Sequence, residues 1–295
     1  MKKFAANLYL RAFFKKIYNF LTHSFGKITG NYYWEDYVRV YPNGIIFDRF
    51  GRRKKPSRND INNYKNHRKF YIFASQFVRN KLVSDVGCGS GYGCKILKEE
   101  GKARHVDGTD MSKASIDFAK SRYGEYAFFT VQGITNLCKY PAKSFDIAIC
   151  NEVLEHVKDY KLENKALAEL KRILIDNGLM IIGTPNSEMM EDHGFSFDEI
   201  CLLFKNHFKK FLIFENALVP FLGKKNLWLK RLAEGKTGVI ISEKIDLSET
   251  VLPEGLIPEI KKGISVKKLK FADYIIDTSL LHNTHSWIIL AINKR

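Results

Sequence analysis

The sequence predicts an α/β protein with a doubly wound, mostly parallel sheet of seven strands and helices on both faces. Short apolar runs recur from Leu82 to Ile292 and alternate with amphipathic stretches. That alternation is typical of strand-helix-strand units whose strands are buried on both sides. A glycine-rich turn follows the first of these strands directly and opens a helix. With 45% hydrophobic and 27% charged residues, the composition is that of an ordinary globular protein.

The strands are predicted from apolar runs and the helices from their start and stop signals. Ser112 is a typical N-cap, and Asn177-Gly178 is expected to stop the helix that covers about Glu163 to Leu174. The predicted strands are Leu82–Val86, Arg104–Asp110, Ala127–Gln132, Phe145–Cys150, Leu179–Thr184, Phe211–Glu215 and His285–Ile292. The predicted helices run from the glycine turn to about Glu100, from Ser112 to Tyr123, from Glu163 to Leu174 and from Phe197 to Phe208.

Residues 1–80 are predicted to form a helical, lid-like extension, and residues 81–295 the main domain, with an insertion at about 218–280 before the last strand. The N-terminal residues are typical of an amphipathic helix, because Arg11 and Lys15 fall opposite its apolar side. These charges interrupt the apolar stretch and no small-residue cleavage site follows, which excludes a secretory signal. We expect this helix to pack on its own domain, or alternatively to lie on an anionic membrane surface.

The charge balance is strongly basic, with 48 Lys and Arg against 32 Asp and Glu, a net charge of +16. Nucleic acid, an anionic membrane and a phosphorylated substrate are all partner classes that fit, as is a merely solvated basic surface. Five cysteines without a CxxC pair exclude a disulfide framework and a zinc knuckle. No apolar run reaches the ~18 residues that cross a bilayer. We therefore predict a cytoplasmic protein, with the inner membrane surface as the alternative location.

The glycine turn reads Asp85-Val86-Gly87-Cys88-Gly89-Ser90-Gly91-Tyr92-Gly93. It does not fit the dinucleotide fingerprint G-x-G-x-x-G, because neither register puts a glycine in the third position. A P-loop is excluded because the turn lacks Gly-Lys-Ser/Thr. An acid before the first glycine repels pyrophosphate and suits a ligand that carries an amino group or a cation.

The motif LVSDVGCGSGYG resembles the first motif of the class I S-adenosylmethionine-dependent methyltransferases, in particular their type 11/12 group, over about Leu82 to Phe214. The resemblance implies a Rossmann-like fold and S-adenosylmethionine as the cofactor. It places Asp110 on both ribose hydroxyls and Met111 over the adenine face. The family usually has an acid before the adenine edge, which is absent from Gln132-Gly133-Ile134 here. The cofactor-binding residues that the resemblance implies are Asp85, Gly87, Cys88, Gly89, Gly91, Asp110, Met111, Gly133, Ile134 and Asn151.

A second motif follows the strand FDIAIC, where Glu152, Glu155 and His156 are spaced i, i+3 and i+4. A helical turn puts such residues on one face, at the carboxyl edge of the sheet where α/β proteins bind ligands. His156, with Glu155, is a candidate for acid–base catalysis on an acceptor hydroxyl. A divalent metal that lowers the pKa of the acceptor is the other use.

The run EVLEH resembles two metal-dependent families, the ubiquinone-pathway O-methyltransferases and the small-RNA 3′-terminal 2′-O-methyltransferases. The second resemblance also covers Thr184-Pro185-Asn186 and His193. It implies a magnesium or manganese site formed by Glu152, Glu155, His156 and His193. The alternative is a hydrogen-bonded structural turn without a metal, which many type 11 methyltransferases carry.

The leading function is O-methylation of a small or sugar-like acceptor, such as a precursor of a surface polysaccharide. The runs VLEHVKD, IIGTPN and FSFDEICLLFKNHF resemble bacterial glycan methyltransferases, and the basic charge suits a phosphate-linked sugar. The first alternative is a metal-dependent RNA 2′-O-methyltransferase, against which stands the absence of a separate RNA-binding module. The second alternative is a non-catalytic scaffold on a methyltransferase fold.

Overall fold

The computed structural model describes residues 46–47, 53–54, 58–187, 193–217, 239–241, 270–271, 274–275 and 284–294. The predicted N-terminal helix and most of the predicted insertion lie outside these residues, so both stay predictions. The same holds for the membrane contact expected of that helix. No helix among the described residues has the length and apolar character needed to cross a bilayer.

The strands form one large sheet and two small antiparallel pairs, β1 with β2 and β10 with β11. Their bounds are β1 Ile46–Phe47, β2 Arg53–Lys54, β3 Leu82–Val86, β4 His105–Asp110, β5 Phe128–Val131, β6 Phe145–Asn151, β7 Leu174–Pro185, β8 Lys210–Ala217, β9 Val239–Ile241, β10 Lys270–Phe271, β11 Tyr274–Ile275 and β12 Thr284–Ile292. The helices are α1 Arg58–Ser75, α2 Tyr92–Glu99, α3 Lys113–Tyr123, α4 Leu154–Lys158, α5 Glu163–Ile173 and α6 Phe197–His207.

The large sheet has the order β5-β4-β3-β6-β7-β12-β8-β9. Strands β5, β4, β3, β6 and β7 run parallel, and β12, β8 and β9 add in antiparallel pairs. This confirms the predicted doubly wound, Rossmann-like fold. The predicted count of seven strands is not confirmed, because the sheet has eight. The additional strand, β9, comes from the predicted insertion and pairs with the edge of β8.

Both faces of the sheet are covered, as alternate residues of each central strand show. Ile147 and Ile149 of β6 pack in one apolar cluster, which α1, α2 and α3 complete. Ala148 and Cys150 of the same strand pack in a second cluster with α4, α5 and α6. Since successive strand side chains point to opposite faces, the central strands must be apolar throughout, as the sequence is.

Helix boundaries follow local capping. The Ser112 hydroxyl accepts a hydrogen bond from the Ser115 N–H at 3.0 Å, which confirms the predicted N-cap of α3. Ser196 and Glu199 form a reciprocal capping box at the start of α6.

The predicted helix stop at Asn177-Gly178 is wrong, because α5 ends at Ile173 and β7 already begins at Leu174. Asn177 takes a left-handed φ of 62° within β7. The pairing register of β6 with β7 shifts between Phe145 and Ile147. Asn and Gly are common both at the ends of helices and at irregular positions in strands. Here they lie at an irregular part of β7 and do not end the helix.

Helix α1 lies within the stretch predicted as an extension, yet it is built into the core of the sheet. Phe70 and Phe73 of α1, and Phe77 two residues after its end, are buried in the first apolar cluster. Tyr71 packs so closely on α2 that a Cβ at Gly93 would overlap its ring. Helix α1 therefore fixes the position of α2, which begins at the glycine turn.

Gly93→Ala is expected to destabilise the protein, because the added methyl group meets the buried Tyr71 ring. Overpacking of a core costs about 1–3 kcal/mol, which exceeds the ~1 kcal/mol that alanine contributes to a helix. Urea denaturation should show the loss. The matched control is Gly133→Ala, whose methyl group would lie 4.0 Å from Met111 Cβ without overlapping it. Equal stability of the two variants would contradict the packing of α1 on α2.

Candidate active site

The glycine turn joins the carboxyl end of β3 to α2, at the point where the order of the sheet reverses between β3 and β6. Ligands of open α/β sheets bind at this switch point. Gly87, Gly89 and Gly91 have φ values of 82°, 53° and 84°, a left-handed conformation that residues with side chains rarely adopt. The N–H groups of Gly87 and Cys88 donate to the Thr109 carbonyl at 2.7 and 2.8 Å. These bonds fasten the turn to the end of β4.

The three glycines differ in the space that surrounds them. A Cβ at Gly87 would overlap Val153, and one at Gly91 would lie 2.7 Å from Ala119. At Gly89, by contrast, no atom of the described residues, apart from its chain neighbours, lies within 4 Å of the Cβ position. Gly87 and Gly91 are therefore needed for packing, whereas Gly89 presents open backbone that a ligand can approach. The open position fits a cofactor on this turn.

Asp110 ends β4 beside this opening. Its Oδ2 accepts a hydrogen bond from the Gly89 N–H at 2.9 Å, and its Oδ1 accepts one from the Ser112 N–H at 2.8 Å. Each carboxylate oxygen has two acceptor positions, so these bonds hold the group in place and leave acceptor capacity for a diol. The structure thus brings Asp110 and Gly89 together, as the predicted ribose site requires.

Asp85 is fully buried beneath the turn. Its Oδ1 accepts a hydrogen bond from the Tyr71 hydroxyl at 3.1 Å, and its Oδ2 accepts one from the Cys94 thiol at 3.3 Å. Both donors are neutral, and no lysine, arginine or histidine of the described chain pairs with this carboxyl group. Burial therefore raises the pKa of Asp85 to about 7, against the hydrogen bonds that lower it, and nearby Asp110 raises it further.

The other predicted cofactor residues lie at or just after the carboxyl ends of β3, β4, β5 and β6. The Cys88 side chain is buried in the core, and burial raises the pKa of its thiol to about 11. Only the backbone of Cys88 is thus left to face a cofactor. Asn151 is buried, with its Oδ1 against Gly183 of β7. Met111 is 36% exposed, and Gly133 lies beside it.

The second motif forms a cluster after β6. Glu155 is buried, and its Oε2 accepts a hydrogen bond from the Thr184 hydroxyl at 2.9 Å. Its Oε1 has no hydrogen-bond partner and lies 3.8 Å from His156 Nε2. The rings of His156 and His193 are 5.2 Å apart. One ligand atom from each of Glu155, His156 and His193 lies within 4.8 Å of the others, so the structure brings these three predicted residues together.

Glu152 does not share their helical face, contrary to the spacing argument. Helix α4 begins only at Leu154, and Glu152 takes a left-handed φ of 56° before it. Its N–H donates to the Gly183 carbonyl at 2.8 Å, which fixes this conformation. Glu152 lies outside the set of three close ligand atoms, and its role as a fourth metal ligand stays a prediction.

Both acids of the motif bind protons tightly. Burial raises the pKa of Glu152 to about 7. Burial, and then the nearby Glu152, raise the pKa of Glu155 well above its ordinary range, although the Thr184 hydrogen bond lowers it. Burial therefore favours the protonated form of the Glu155 carboxyl group in the free protein. A cation that binds here competes with a proton for this group.

His193 is held by contacts that the sequence did not predict. The next residues return to β7, where the Phe195 N–H donates to the Pro185 carbonyl at 3.0 Å. Trp287 of β12 donates from Nε1 to the Phe195 carbonyl at 2.8 Å, and Lys158 donates to the Gly194 carbonyl at 2.8 Å. These bonds come from elements far apart in sequence. Thr184, which binds Glu155, was indicated by the sequence, because it opens the run Thr184-Pro185-Asn186.

Asp85→Asn is expected to reduce the loss of stability with rising pH. The folded chain holds the Asp85 proton up to about pH 7, whereas an unfolded Asp loses it near pH 4. Stability therefore falls across this interval, on the order of a few kcal/mol for such a shift. Urea denaturation of the free protein between pH 5 and 8 measures the slope. Asp117→Asn, on the surface beside Lys113, is the control. Equal slopes in wild type and Asp85→Asn would contradict the buried acid.

Comparison with known proteins agrees with this geometry. Residues 84–182 match a family model described as a methyltransferase domain. A ubiquinone biosynthesis O-methyltransferase of Coxiella burnetii is 39% identical over 92 residues, 30% of this chain and 38% of that protein. A probable S-adenosylmethionine-dependent methyltransferase of Mycobacterium tuberculosis is 28% identical over 131 residues, 43% of this chain and 44% of that protein. The chain thus spans less than half the length of these curated relatives.

Solved structures show the same fold. A putative methyltransferase of Haloferax volcanii, in complex with the Trm112 methyltransferase activator, superposes with a TM-score of 0.51. The alignment covers 80% of this chain and 96% of that one at 13% identity, so the likeness concerns the fold alone. The glycine turn, the sheet order and these matches agree with the predicted methyltransferase fold. Residues 84–182 carry a methyltransferase domain, which supports the predicted cofactor, S-adenosylmethionine.

Proposed function

We propose that this protein transfers the methyl group of S-adenosylmethionine to the oxygen of a small, sugar-like hydroxyl acceptor. The observation that carries the proposal is the pair of imidazoles, His156 and His193, 5.2 Å apart beside the buried Glu155. They lie beyond β6 and β7, on the carboxyl edge that also bears the glycine turn. This edge is where acceptor and cofactor meet in open α/β proteins.

The chemistry of methyl transfer explains why a basic side chain in the site indicates that the acceptor atom is an oxygen. The acceptor lone pair forms a bond to the methyl carbon, and the electron pair of the breaking carbon–sulfur bond stays on sulfur. A hydroxyl acceptor must also lose its proton, because the methylated oxygen would otherwise carry a positive charge. A neutral amine brings its own lone pair and has less need of a base. An imidazole accepts protons near neutral pH, which suits the hydroxyl.

His156 is the proposed base, and Glu155 positions it. Burial raises the pKa of the Glu155 carboxyl group and so favours its protonated form. In that form Glu155 cannot take the acceptor proton. Its Oε1, 3.8 Å from His156 Nε2, restricts where the imidazole can lie. Glu155 is itself fixed by Thr184, so the base is supported from β7.

Composition and one relative support the acceptor class. The relative from Coxiella burnetii is named as an O-methyltransferase, which supports oxygen as the methylated atom. The net charge of +16 supports an acceptor that carries phosphate, such as a nucleotide-linked or lipid-linked sugar. The resemblance of the acceptor-side runs to glycan methyltransferases favours the sugar over a polyphenol. Methylation of a polyphenol, and not of a sugar, in an acceptor screen would overturn the assignment of a sugar acceptor.

A metal-dependent RNA 2′-O-methyltransferase is the second candidate, favoured by the cluster of Glu155, His156 and His193. The orphaned Glu155 Oε1 and two imidazoles fit a divalent cation. Two nitrogen ligands and one carboxylate suit manganese or zinc better than magnesium, which prefers oxygen. A bound metal would lower the pKa of the acceptor hydroxyl. A general base and a bound metal would each promote loss of the proton from the acceptor hydroxyl, and both roles would use the same residues.

Calorimetric titration with S-adenosylhomocysteine, with and without manganese and magnesium, tests these proposals. Binding in metal-free buffer supports the methyltransferase and justifies an acceptor screen that begins with phosphosugars and includes catechols and short RNA. A manganese requirement for turnover with RNA would move the assignment to the second candidate. Absence of cofactor binding under every condition would overturn both and leave the scaffold.

Asp110→Ala is expected to weaken binding of S-adenosylhomocysteine, because each charge-assisted hydrogen bond to the ribose contributes about 1.5–3 kcal/mol. The loss also frees the Gly89 N–H that Asp110 holds. Asp107→Ala is the matched control, since Asp107 lies on the same strand and pairs with His105. Calorimetry measures both affinities. An Asp110→Ala affinity equal to that of the control would contradict the ribose site.

His156→Gln is expected to lower turnover by about 100-fold or more, the usual contribution of a general base, while affinity for S-adenosylhomocysteine stays unchanged. His193→Gln should lower turnover less if His156 alone takes the proton. His207→Gln is the control, since His207 lies on α6 and bonds to Asn164. Turnover is measured as methyl transfer to the acceptor found in the screen. Full turnover in His156→Gln would reduce the motif to a structural turn.

A further inference from the structure

Neither the backbone conformation nor the packing at position 133 requires a glycine. The left-handed glycines of the described chain are Gly87, Gly89, Gly91 and Gly194, and Gly133 is not among them. Among the described residues, apart from its chain neighbours, a Cβ at Gly133 would contact Met111 Cβ alone, at 4.0 Å. At Gly93, Gly108 and Gly183 a Cβ would instead overlap neighbouring atoms. Gly133 therefore leaves open space beside its backbone that a ligand can approach.

The position of Gly133 relative to the cofactor follows from the strand ends. Asp110 ends β4, and its carbonyl accepts a hydrogen bond from the Gln132 N–H at 3.0 Å. With the ribose on the Asp110 carboxylate, the base extends past Met111, the next residue. Gly133 lies beside Met111 and therefore borders the adenine rather than the methionine part of the cofactor. The exocyclic amino group is the end of the base that is furthest from the sugar.

The space at Gly133 is held open by the surrounding loop. The Gly133 carbonyl accepts a hydrogen bond from the Asn136 N–H at 2.9 Å. Buried Gln132 accepts another through Oε1 from the Lys139 N–H at 2.8 Å. Ile134 is buried in the second apolar cluster and cannot move into the space. Met111, on the other side, has a flexible thioether that adapts to different partners.

We propose that Gly133 determines which adenine derivatives this site accepts, and that the site binds S-adenosylmethionine analogues carrying a substituent on the exocyclic amino group. This inference rests on the proposed function, since it assumes that the glycine turn binds the cofactor. No side chain at residue 133 borders that edge of the base. A substituent on the nitrogen therefore enters open space beside Met111 and leaves one N–H to donate.

The test compares S-adenosylhomocysteine with its N6-benzyl derivative by calorimetry on the full chain. Wild type is expected to bind the two within about threefold, a free-energy difference below ~1 kcal/mol. Gly133→Leu fills the space, so it should raise the ratio of the two dissociation constants, benzyl derivative over S-adenosylhomocysteine, tenfold or more above that of wild type. Gly133→Ala, whose methyl group fills far less of the space, is the matched control and should raise this ratio much less. A urea denaturation curve like that of wild type shows that Gly133→Leu is folded.

The outcomes separate this inference from the proposed function. Tight binding of S-adenosylhomocysteine with rejection of the benzyl derivative by wild type overturns the inference and leaves the methyltransferase intact. Equal binding of the benzyl derivative by wild type and Gly133→Leu also overturns it, because the substituent then lies elsewhere. If wild type binds neither compound, the cofactor site itself is wrong and both proposals fall.

Discussion

The attachment of the glycine turn to the end of β4 is the constraint on which the rest of the site depends. The Thr109 carbonyl accepts hydrogen bonds from the N–H groups of Gly87 and Cys88, and the Asp110 carboxylate accepts one from Gly89. These contacts join the two halves of the cofactor site, which come from adjacent parallel strands. Two of these contacts join backbone groups alone, and the third depends on the Asp110 side chain, so the shape of the turn needs both the glycine conformations and this carboxylate.

Buried acids at the carboxyl edge explain why such a site prefers a cationic cofactor. Burial raises the pKa values of Asp85 and Glu152 to about 7, and that of Glu155 is raised well above its ordinary range. Packing carboxyl groups without a cation lowers the stability of the free protein as pH rises. The same arrangement favours a ligand with a positive charge near them. These buried carboxyl groups therefore lower the stability of the free protein, a common feature of residues in active sites.

The parts of the molecule that the sequence predicts well are those determined by neighbouring residues. The bounds of β3, the N-cap Ser112 and the glycine turn all depend on local conformation. The helical spacing that places Glu152 beside Glu155 and His156 does not apply, because Glu152 lies two residues before α4 begins. The bonds of Tyr71 to Asp85 and of Trp287 to Phe195 join residues 14 and 92 positions apart. No periodicity reports such contacts, since they arise only once the sheet has assembled.

The acceptor half of the site is as firmly built as the cofactor half, although part of it lies in a loop. His193 precedes Gly194 and Phe195, whose backbone groups are bound by Lys158, Pro185 and Trp287. Because Trp287 belongs to β12, this antiparallel strand supports the loop from inside the sheet. A base must lie within hydrogen-bond reach of its proton, and a displacement of about 1 Å lowers a rate considerably. In the proposed reaction, antiparallel β12 and parallel β7 would therefore act together to fix the position of the imidazoles.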